Sequence, residues 1–143
     1  MSLFVIDASV AAKWFLPAEG ETLTHEALEF LRRYTTGKIR LVVPDLFWAE
    51  FGNRMWKAVR QGRWTKGGAD TAIAAMKKRN LPTVPTLTLL EQAFAIANAF
   101  QQSFYDSLYV ALAISSKAVM VTADERLAHA LAGSLPVKWL GSL

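Results

Sequence analysis

Short apolar runs alternate with longer segments of helical periodicity along the whole chain. A continuous apolar run bounded by turn residues is typical of a strand that is buried on both faces of a sheet. Such runs predict five strands, within residues 3–6, 39–43, 83–85, 118–121 and 135–140. Helical spacing of apolar residues covers residues 10–16, 21–34, 46–61, 66–79, 89–101, 104–114 and a segment that starts after residue 122. Because strands and helices alternate, we predict an α/β fold, a three-layer α/β/α arrangement around a five-stranded parallel sheet.

Turn residues and polar caps set the expected ends of these elements. Pro17 is expected to close the first helix, and Asp45 is a predicted N-cap of the third. Pro85 places the short third strand at an edge of the sheet, since proline lacks the ladder donor. The helix at 89–101 has an apolar stripe that we expect to face the core. Its members are Leu90, Ala93, Phe94, Ala97 and Phe100.

The stretch from residue 103 to residue 127 combines a buried helix, a buried strand and a second helix start. Residues 108–114 are apolar on every face, which is typical of a helix packed inside the core. Ser103 is a predicted N-cap with Asp106 three positions later, and Thr122 is a predicted N-cap with Glu125 at the same spacing. Asp106 and Asp124 are then expected in first turns, where the helix dipole favours a carboxylate.

Composition narrows the class of protein. The chain has 143 residues, of which 52% are hydrophobic and 20% are charged, as in an ordinary globular domain. No cysteine is present, which excludes disulfides and thiolate metal sites and is compatible with a reducing compartment. The first apolar run ends after four residues and lacks a preceding basic region, so we interpret it as a strand and not a signal peptide. No apolar stretch approaches the roughly 20 residues that span a bilayer.

Four of the twelve acidic residues lie outside polar surroundings. Asp7 ends the first predicted strand, Glu50 lies in an apolar helix start, and Asp106 and Asp124 occupy the positions described above. Taken singly, each is compatible with a capping or first-turn role. Taken together, they share one placement, because strand carboxyl ends and helix amino ends meet at the same edge of a parallel sheet. Most other acids, including Glu21, have polar neighbours and are interpreted as surface charges.

A cluster of four carboxylates favours a hard divalent cation. The carboxylates would repel one another, and a cation would remove that repulsion. All-oxygen ligands suit Mg²⁺ or Mn²⁺ and not zinc, while His25 and His129 fall on predicted outer helix faces. Small polar residues near the acids would orient the carboxylates or hold water, besides any capping role. They are Ser9, Asn53 and Thr122.

The net charge of +4 favours a polyanionic partner weakly. Basic residues cluster after Glu50, and Trp56 and Trp64 lie among them, so phosphate contacts with base stacking are one interpretation. A solvated helix edge whose tryptophans pack in the core or in an interface is the other. The predicted RNA-binding residues are Lys13, Arg54, Lys57 and Arg60.

Other chemistries find little support. The chain has no phosphate-binding glycine loop and no Gly-x-Ser-x-Gly turn. An enzyme that forms a phosphoaspartate would use Asp7, but Ser9 occupies the position where such enzymes usually have a second aspartate. A phosphoaspartyl-type phosphatase and a non-catalytic interaction domain therefore remain as alternatives to a nuclease.

The acid-containing motifs resemble those of the PIN domain family, and specifically the toxins of VapBC toxin–antitoxin pairs. The motifs are Val-Ile-Asp-Ala-Ser-Val at 5–10, Trp-Ala-Glu-Phe-Gly-Asn at 48–53, Tyr-Asp-Ser-Leu-Tyr-Val-Ala-Leu-Ala at 105–113 and Val-Thr-Ala-Asp-Glu-Arg-Leu at 121–127. The resemblance covers essentially the whole chain and implies a single PIN domain over residues 1–143.

The resemblance also implies an activity and its partners. It implies a cytoplasmic, Mg²⁺- or Mn²⁺-dependent endoribonuclease whose metal-binding and catalytic residues are Asp7, Glu50, Asp106 and Asp124. It further implies a homodimer, an RNA substrate and a cognate VapB-type antitoxin that places a basic side chain in the acidic pocket. A guanidinium group matches such a pocket because it can bind a carboxylate with two hydrogen bonds.

Overall fold

A five-stranded parallel sheet forms the centre of the protein in a computed structural model, which describes residues 2–143. The strands are β1 (Ser2–Ile6), β2 (Ile39–Pro44), β3 (Thr83–Val84), β4 (Val119–Thr122) and β5 (Val137–Trp139), in the order β3-β2-β1-β4-β5. All four strand pairs are parallel, which confirms the predicted sheet. β3 lies at an edge, as Pro85 predicts.

Seven α-helices accompany the sheet within residues 2–143. They are α1 (Ala8–Ala12), α2 (Thr24–Thr35), α3 (Leu46–Arg60), α4 (Lys66–Lys78), α5 (Thr86–Phe100), α6 (Phe104–Ser115) and α7 (Glu125–Leu131), followed by a short 3-10 helix at Leu140–Ser142. In this part of the chain, no helix is both long enough and apolar enough to span a bilayer.

The strand order places a topological switch point between β1 and β4. The chain moves from β1 through β2 to β3 on one side, and then crosses to β4 and β5 on the other side. Two neighbouring strands whose connections leave in opposite directions open a crevice at their carboxyl ends, where ligands of α/β proteins bind. Asp7 follows β1 directly, and Asp124 lies two residues after β4.

Helix α6 lies against the middle of the sheet. Its residues from Ser107 to Ala113 are buried, as the apolar run predicts, and the helix contacts β1, β2 and β4. Burying this much apolar surface stabilises the fold by about 25 cal/mol per Å² removed from water. The amino end of α6 is thereby fixed at the carboxyl edge of the sheet, by which we mean the edge where the strands end.

Two helices are shorter at an end than the apolar pattern predicts. Helix α1 ends at Ala12 and does not reach Pro17, because Lys13 and the next two residues form tight turns and the Trp14 indole donates to the Ala27 carbonyl at 2.9 Å. Helix α2 starts at Thr24 and not at Glu21, because the preceding Leu23 has a φ of 59°.

Helix α5 starts earlier than predicted and buries a different face. Asp45 precedes α3 but does not cap it; its carboxylate accepts a hydrogen bond from the backbone N–H of Thr86 at 3.1 Å, in the first turn of α5. The predicted stripe is only partly correct. Ala93 is buried, but Phe94 is 64% exposed and Leu90 42% exposed. Residues 89 and 96 take their place in the core.

Candidate active site at the carboxyl edge of the sheet

Asp7 is held at the end of β1 by donors from two parts of the chain. The Thr122 hydroxyl donates to Oδ2 at 2.9 Å, and the backbone N–H of Ser9 is 3.4 Å from Oδ1. Asp7 is 8% exposed and caps α1. A buried carboxylate with hydrogen bonds to both oxygens has a restricted orientation.

The loop after β4 is joined to the same network. The Thr122 hydroxyl accepts from the backbone N–H of Asp124 at 3.1 Å, and the Ser9 hydroxyl accepts from the backbone N–H of Ala123 at 3.2 Å. Asp124, and not Thr122, caps α7, since its Oδ1 accepts from Leu127 at 3.1 Å. The predicted cap at Thr122 is therefore wrong; that residue ends β4 and its hydroxyl faces Asp7.

Glu50 reaches the carboxyl edge from the second turn of α3. The Tyr109 hydroxyl donates to its Oε1 at 2.7 Å. Burial raises the pKa of the Glu50 carboxyl, and the charges of Asp7 and Asp106 raise it further, whereas the Tyr109 hydrogen bond and the charge of Arg54 lower it. Glu50 is thus a carboxylate whose charge is destabilised by its surroundings.

Asp106 lies in the first turn of α6. Ser103 caps this helix as predicted, because its hydroxyl accepts from the backbone N–H of Asp106 at 3.0 Å. Burial raises the pKa of the Asp106 carboxyl, and the charges of Asp7 and Asp124 add to the rise, against a hydrogen bond with Ser103. The negative charges of all four acids therefore meet at one edge, with Asp7 and Asp106 as the links.

We call Asp7 and Asp124 the strand acids, and Glu50 and Asp106 the helix acids. Five ion pairs occur among residues 2–143, and none of them includes a strand acid or a helix acid. Over the same residues, no three His, Asp or Glu side chains stand close enough to hold a metal ion between them. The four carboxylates interact electrostatically, but they do not form a closed ligand set.

Exposed basic residues of α3 continue from Glu50 along the helix. Glu50, Asn53, Arg54 and Lys57 line one groove, which we call the α3 groove. Asn53 is exposed there, and no hydrogen bond within the described residues joins it to an acid. Trp56 is 57% exposed, and the Arg60 guanidinium lies 5.3 Å from its ring centroid. Trp64, in contrast, packs against the core.

Lys13 does not join this exposed basic surface. It is 9% exposed and pairs with Glu21 at 3.0 Å. Glu21 also pairs with Arg63, so it is not the solvated surface charge that the sequence suggests. Burial tends to raise the pKa of the Glu21 carboxyl, but the two cations outweigh burial and lower it. Lys13 is therefore not an exposed cation that could contact RNA, as the sequence had suggested.

Tyr109 was not among the predicted site residues. Its side chain is completely buried, and its hydroxyl is bound to Glu50, 59 positions earlier in the chain. One signal was available in the sequence. A tyrosine inside an apolar, buried helix needs a partner for its hydroxyl, and Tyr109 is three residues after Asp106 on the same helical face.

Comparisons with known proteins agree with this architecture. The family model of the PIN domain matches residues 4–131. Ribonuclease VapC3 of Pyrobaculum aerophilum is 28% identical over 127 residues, which cover 87% of this chain and 92% of that protein.

Two solved structures show a similar fold. VapC20 of Mycobacterium tuberculosis, a toxin that cleaves the sarcin–ricin loop, matches 94% of this chain and 96% of its own, with a TM-score of 0.65 and 17% identity. A toxin–antitoxin complex from Klebsiella pneumoniae contains a chain that matches with a TM-score of 0.61 and 16% identity, over 96% of both chains. At these identities the structures establish the fold alone.

Proposed function

Because this chain belongs to the PIN domain family, we propose that it is a VapC-type endoribonuclease, the toxin of a type II toxin–antitoxin pair. We propose further that it hydrolyses RNA phosphodiesters with a Mg²⁺ or Mn²⁺ ion held by Asp7, Glu50, Asp106 and Asp124. The ribonuclease relative from Pyrobaculum aerophilum and the toxin fold of the Mycobacterium tuberculosis protein support the first part.

One observation carries the proposal of a metal site. The raised pKa values of Glu50 and Asp106 arise from burial and from the charges of the other acids. Among residues 2–143, no lysine, arginine or histidine forms an ion pair with any of the four. Glu50 and Asp106 are half-buried carboxylates that lie near other acids and have no ion-pair partner, which supports the proposal that a cation binds among the four.

The donor set fits a hard cation in its chemistry. All four side chains offer carboxylate oxygen, and both histidines are exposed on outer helix faces. Since the carboxylates do not form a closed ligand set, cation binding would draw them closer together. A bound Mg²⁺ or Mn²⁺ would supply charge stabilisation to the scissile phosphate and acidify an attacking water.

The chain's own residues would position these groups. Thr122 and Ser9 fix Asp7 at the switch point, and Asp124 is fixed by its bond to the α7 backbone. Glu50 and Asp106 would bind from the opposite, helical side. Both histidines are exposed on outer helix faces, so a carboxylate would be the general base that accepts a proton from the attacking water.

The α3 groove would bind the RNA strand next to the acids. Arg54, Lys57 and Arg60 are exposed and make no ion pair with an acid in the described part of the chain, whereas Lys13 and Arg63 are paired to Glu21. The exposed ring of Trp56 would stack on a base, as aromatic side chains do in single-strand binding. We therefore place the RNA along α3.

The structure disfavours the phosphoaspartyl alternative. Asp7 would have to be the nucleophile, but it is 8% exposed and both of its oxygens face donors. Hydrogen bonds to both oxygens make such a carboxylate a weaker nucleophile.

Two partners belong to the proposal. The toxin–antitoxin complex from Klebsiella pneumoniae supports a cognate VapB-type antitoxin for this chain, and the four-acid cluster offers a binding site for one of its basic side chains. An exposed apolar stripe on α5 supports the proposed homodimer. It consists of Leu87, Leu90 and Phe94, of which Leu87 is 80% exposed.

Cleavage of RNA by the purified protein tests the proposed activity. We expect endonucleolytic products with Mg²⁺ or Mn²⁺, none with EDTA, and none from the Asp7→Asn variant. Equal cleavage by that variant, or cleavage that survives EDTA, would contradict the metal site. A trapped beryllofluoride adduct on Asp7 would instead support the phosphatase, and absence of Mn²⁺ binding would support a non-catalytic interaction domain.

The salt dependence of RNA binding tests the α3 groove. For single strands, the slope of log K against log salt is about −0.7 for each phosphate neutralised. Replacing Arg54, Lys57 and Arg60 by alanine is therefore expected to reduce the slope by about 2. Replacing Lys77, Lys78 and Lys117, which are exposed elsewhere, removes the same charge and should leave the slope unchanged. Equal slopes for the two triple variants would contradict the proposal that RNA binds along α3.

A further inference from the structure

The Tyr109 hydroxyl connects the two helices that supply the helix acids. Tyr109 is on α6, its hydroxyl donates to Glu50 on α3 at 2.7 Å, and its side chain is completely buried. Asp106 precedes it by three residues, so the two side chains project from the same face of α6. One short helical segment therefore contains one acid of the site and the group that orients another.

Only one of the two carboxylate oxygens of Glu50 accepts a hydrogen bond from the described part of the chain. Oε1 accepts from Tyr109, and no bond to Oε2 is found within residues 2–143. An O–H···O⁻ bond to a charged acceptor is among the stronger hydrogen bonds in proteins. It restricts rotation of the carboxylate, so the direction of Oε2 is fixed by the position of α6.

We infer that Tyr109 is a positioning residue of the metal site, whose hydroxyl holds Oε1 of Glu50 so that Oε2 is directed to the cation beside Asp106. This inference rests on the proposed function. Groups that hydrogen-bond a metal ligand typically change metal affinity or activity by about 10–100-fold when they are removed.

A purely structural role for Tyr109 is the competing explanation. The buried ring fills core volume, and any variant that removes it would destabilise the protein. Tyr109→Phe separates the two roles, since it keeps the ring and removes only the hydroxyl. Ser107→Ala is its matched control. Ser107 is also completely buried on α6, but its hydroxyl donates to the Ser103 carbonyl at 2.8 Å and not to an acid.

The experiment is a Mn²⁺ titration of the full chain without RNA, read from the electron paramagnetic resonance of free Mn²⁺. We expect Tyr109→Phe to bind Mn²⁺ about 10–100-fold more weakly than the wild type, and Ser107→Ala to bind within twofold of it. In a Glu50→Gln background, Tyr109→Phe should weaken Mn²⁺ binding no further. Wild-type affinity in Tyr109→Phe, or an equal loss in Ser107→Ala, would overturn the inference.

A spectroscopic measurement covers the case in which Tyr109→Phe does not fold. The chain has three tyrosines, so replacing Tyr34 and Tyr105 by phenylalanine leaves Tyr109 alone, and fluorotyrosine labelling then gives one ¹⁹F resonance. We expect Mg²⁺ to shift that resonance in the protein with Glu50 and not in its Glu50→Gln variant. An unshifted resonance at saturating Mg²⁺ would overturn the inference. A wild type that binds no Mn²⁺ or Mg²⁺ would instead overturn the proposed metal site itself.

Discussion

The strand acids and the helix acids differ in how the chain holds them. Asp7 and Asp124 accept hydrogen bonds from a hydroxyl and from backbone N–H groups close to the sheet. Glu50 and Asp106 are half-buried on helices, and burial raises the pKa of each. The strand acids are thus held in place by hydrogen bonds, whereas the helix acids are carboxylates whose charged form is destabilised by burial and by neighbouring acids.

This difference suggests a division of labour. Preorganised anions provide a fixed anchor for a cation and require little rearrangement on binding. Destabilised anions gain most when a cation arrives, because it offsets the cost of their burial and repulsion. The two pairs of acids should therefore respond differently to substitution.

Loss of an acid from either pair should affect activity most. We expect Asp7→Asn and Asp106→Asn each to lower RNA cleavage by more than about 100-fold, since even residues that only support a ligand reach that value. Single-turnover cleavage with Mg²⁺ measures the effect. Asp45→Asn is the control, because Asp45 lies at the same edge with its carboxylate engaged by Thr86. A similar loss of cleavage in Asp45→Asn would contradict the prediction, because it would show that removing any carboxylate at this edge lowers activity.

Removing the hydroxyl of Thr122 should weaken metal binding through the strand acids and leave the contacts of the helix acids unchanged. Thr122→Val removes the donor to Oδ2 of Asp7 and leaves the backbone N–H of Asp124 without an acceptor. We expect about a tenfold loss of Mn²⁺ affinity and a loss of about 1–2 kcal/mol in the free energy of unfolding. Titration and urea denaturation measure the two effects, and Thr122→Ser should restore both. If the serine variant behaves like the valine variant, the hydroxyl is not responsible.

Loss of the Ser103 cap of α6 should have a smaller effect on metal binding than loss of the Thr122 hydroxyl, and the effect should arise at Asp106, one of the helix acids. Ser103→Ala is expected to destabilise the protein by about 1 kcal/mol and to weaken Mn²⁺ binding, because the hydroxyl also lowers the pKa of Asp106. Thr65→Ala removes the cap of α4 and should cost similar stability, with unchanged Mn²⁺ affinity. Equal effects of the two variants on Mn²⁺ affinity would contradict a specific role of Ser103 at the metal site.

The helix acids should also give the metal-free protein a distinctive pH dependence. The folded pKa of Glu50 is raised above its unfolded value, so the folded state retains the proton to higher pH. Stability should therefore fall as pH rises from the unfolded value of about 4.3 through the raised folded pKa, and the loss should persist at neutral pH. Glu50→Gln should remove this loss and raise the melting temperature in EDTA at pH 7. A lower melting temperature for Glu50→Gln at every pH would contradict the proposed destabilisation.

The sequence predicted the sheet and the placement of the acids because both depend on local patterns. Apolar runs mark buried strands, and a carboxylate after a strand or at a helix start has one possible edge to occupy. The neighbours of these acids were less predictable, because tertiary contacts decide them. Tyr109 and Glu50 are 59 positions apart and meet only when the fold brings α6 and α3 to the same edge of the sheet, and Lys13 pairs with Glu21 in the segment after α1.

Two of the errors have a simple physical reason. The spacing from Thr122 to Glu125 matches a capping box, but Asp124 is a stronger cap two residues later, and the Thr122 hydroxyl is engaged with Asp7. On α5, two apolar faces compete for the core, and the sequence alone does not say which of them meets α6. The exposed Phe94 is the result.

The bond between Asp7 and Thr122 has a consequence for protein synthesis. It joins residues 115 positions apart. Asp7 is therefore synthesised long before Thr122, the residue that donates to it. At about 5–20 residues per second this interval is on the order of ten seconds. A nascent chain therefore carries separate carboxylates, and the hydrogen-bonded network around Asp7 forms only after nearly the whole chain has been synthesised.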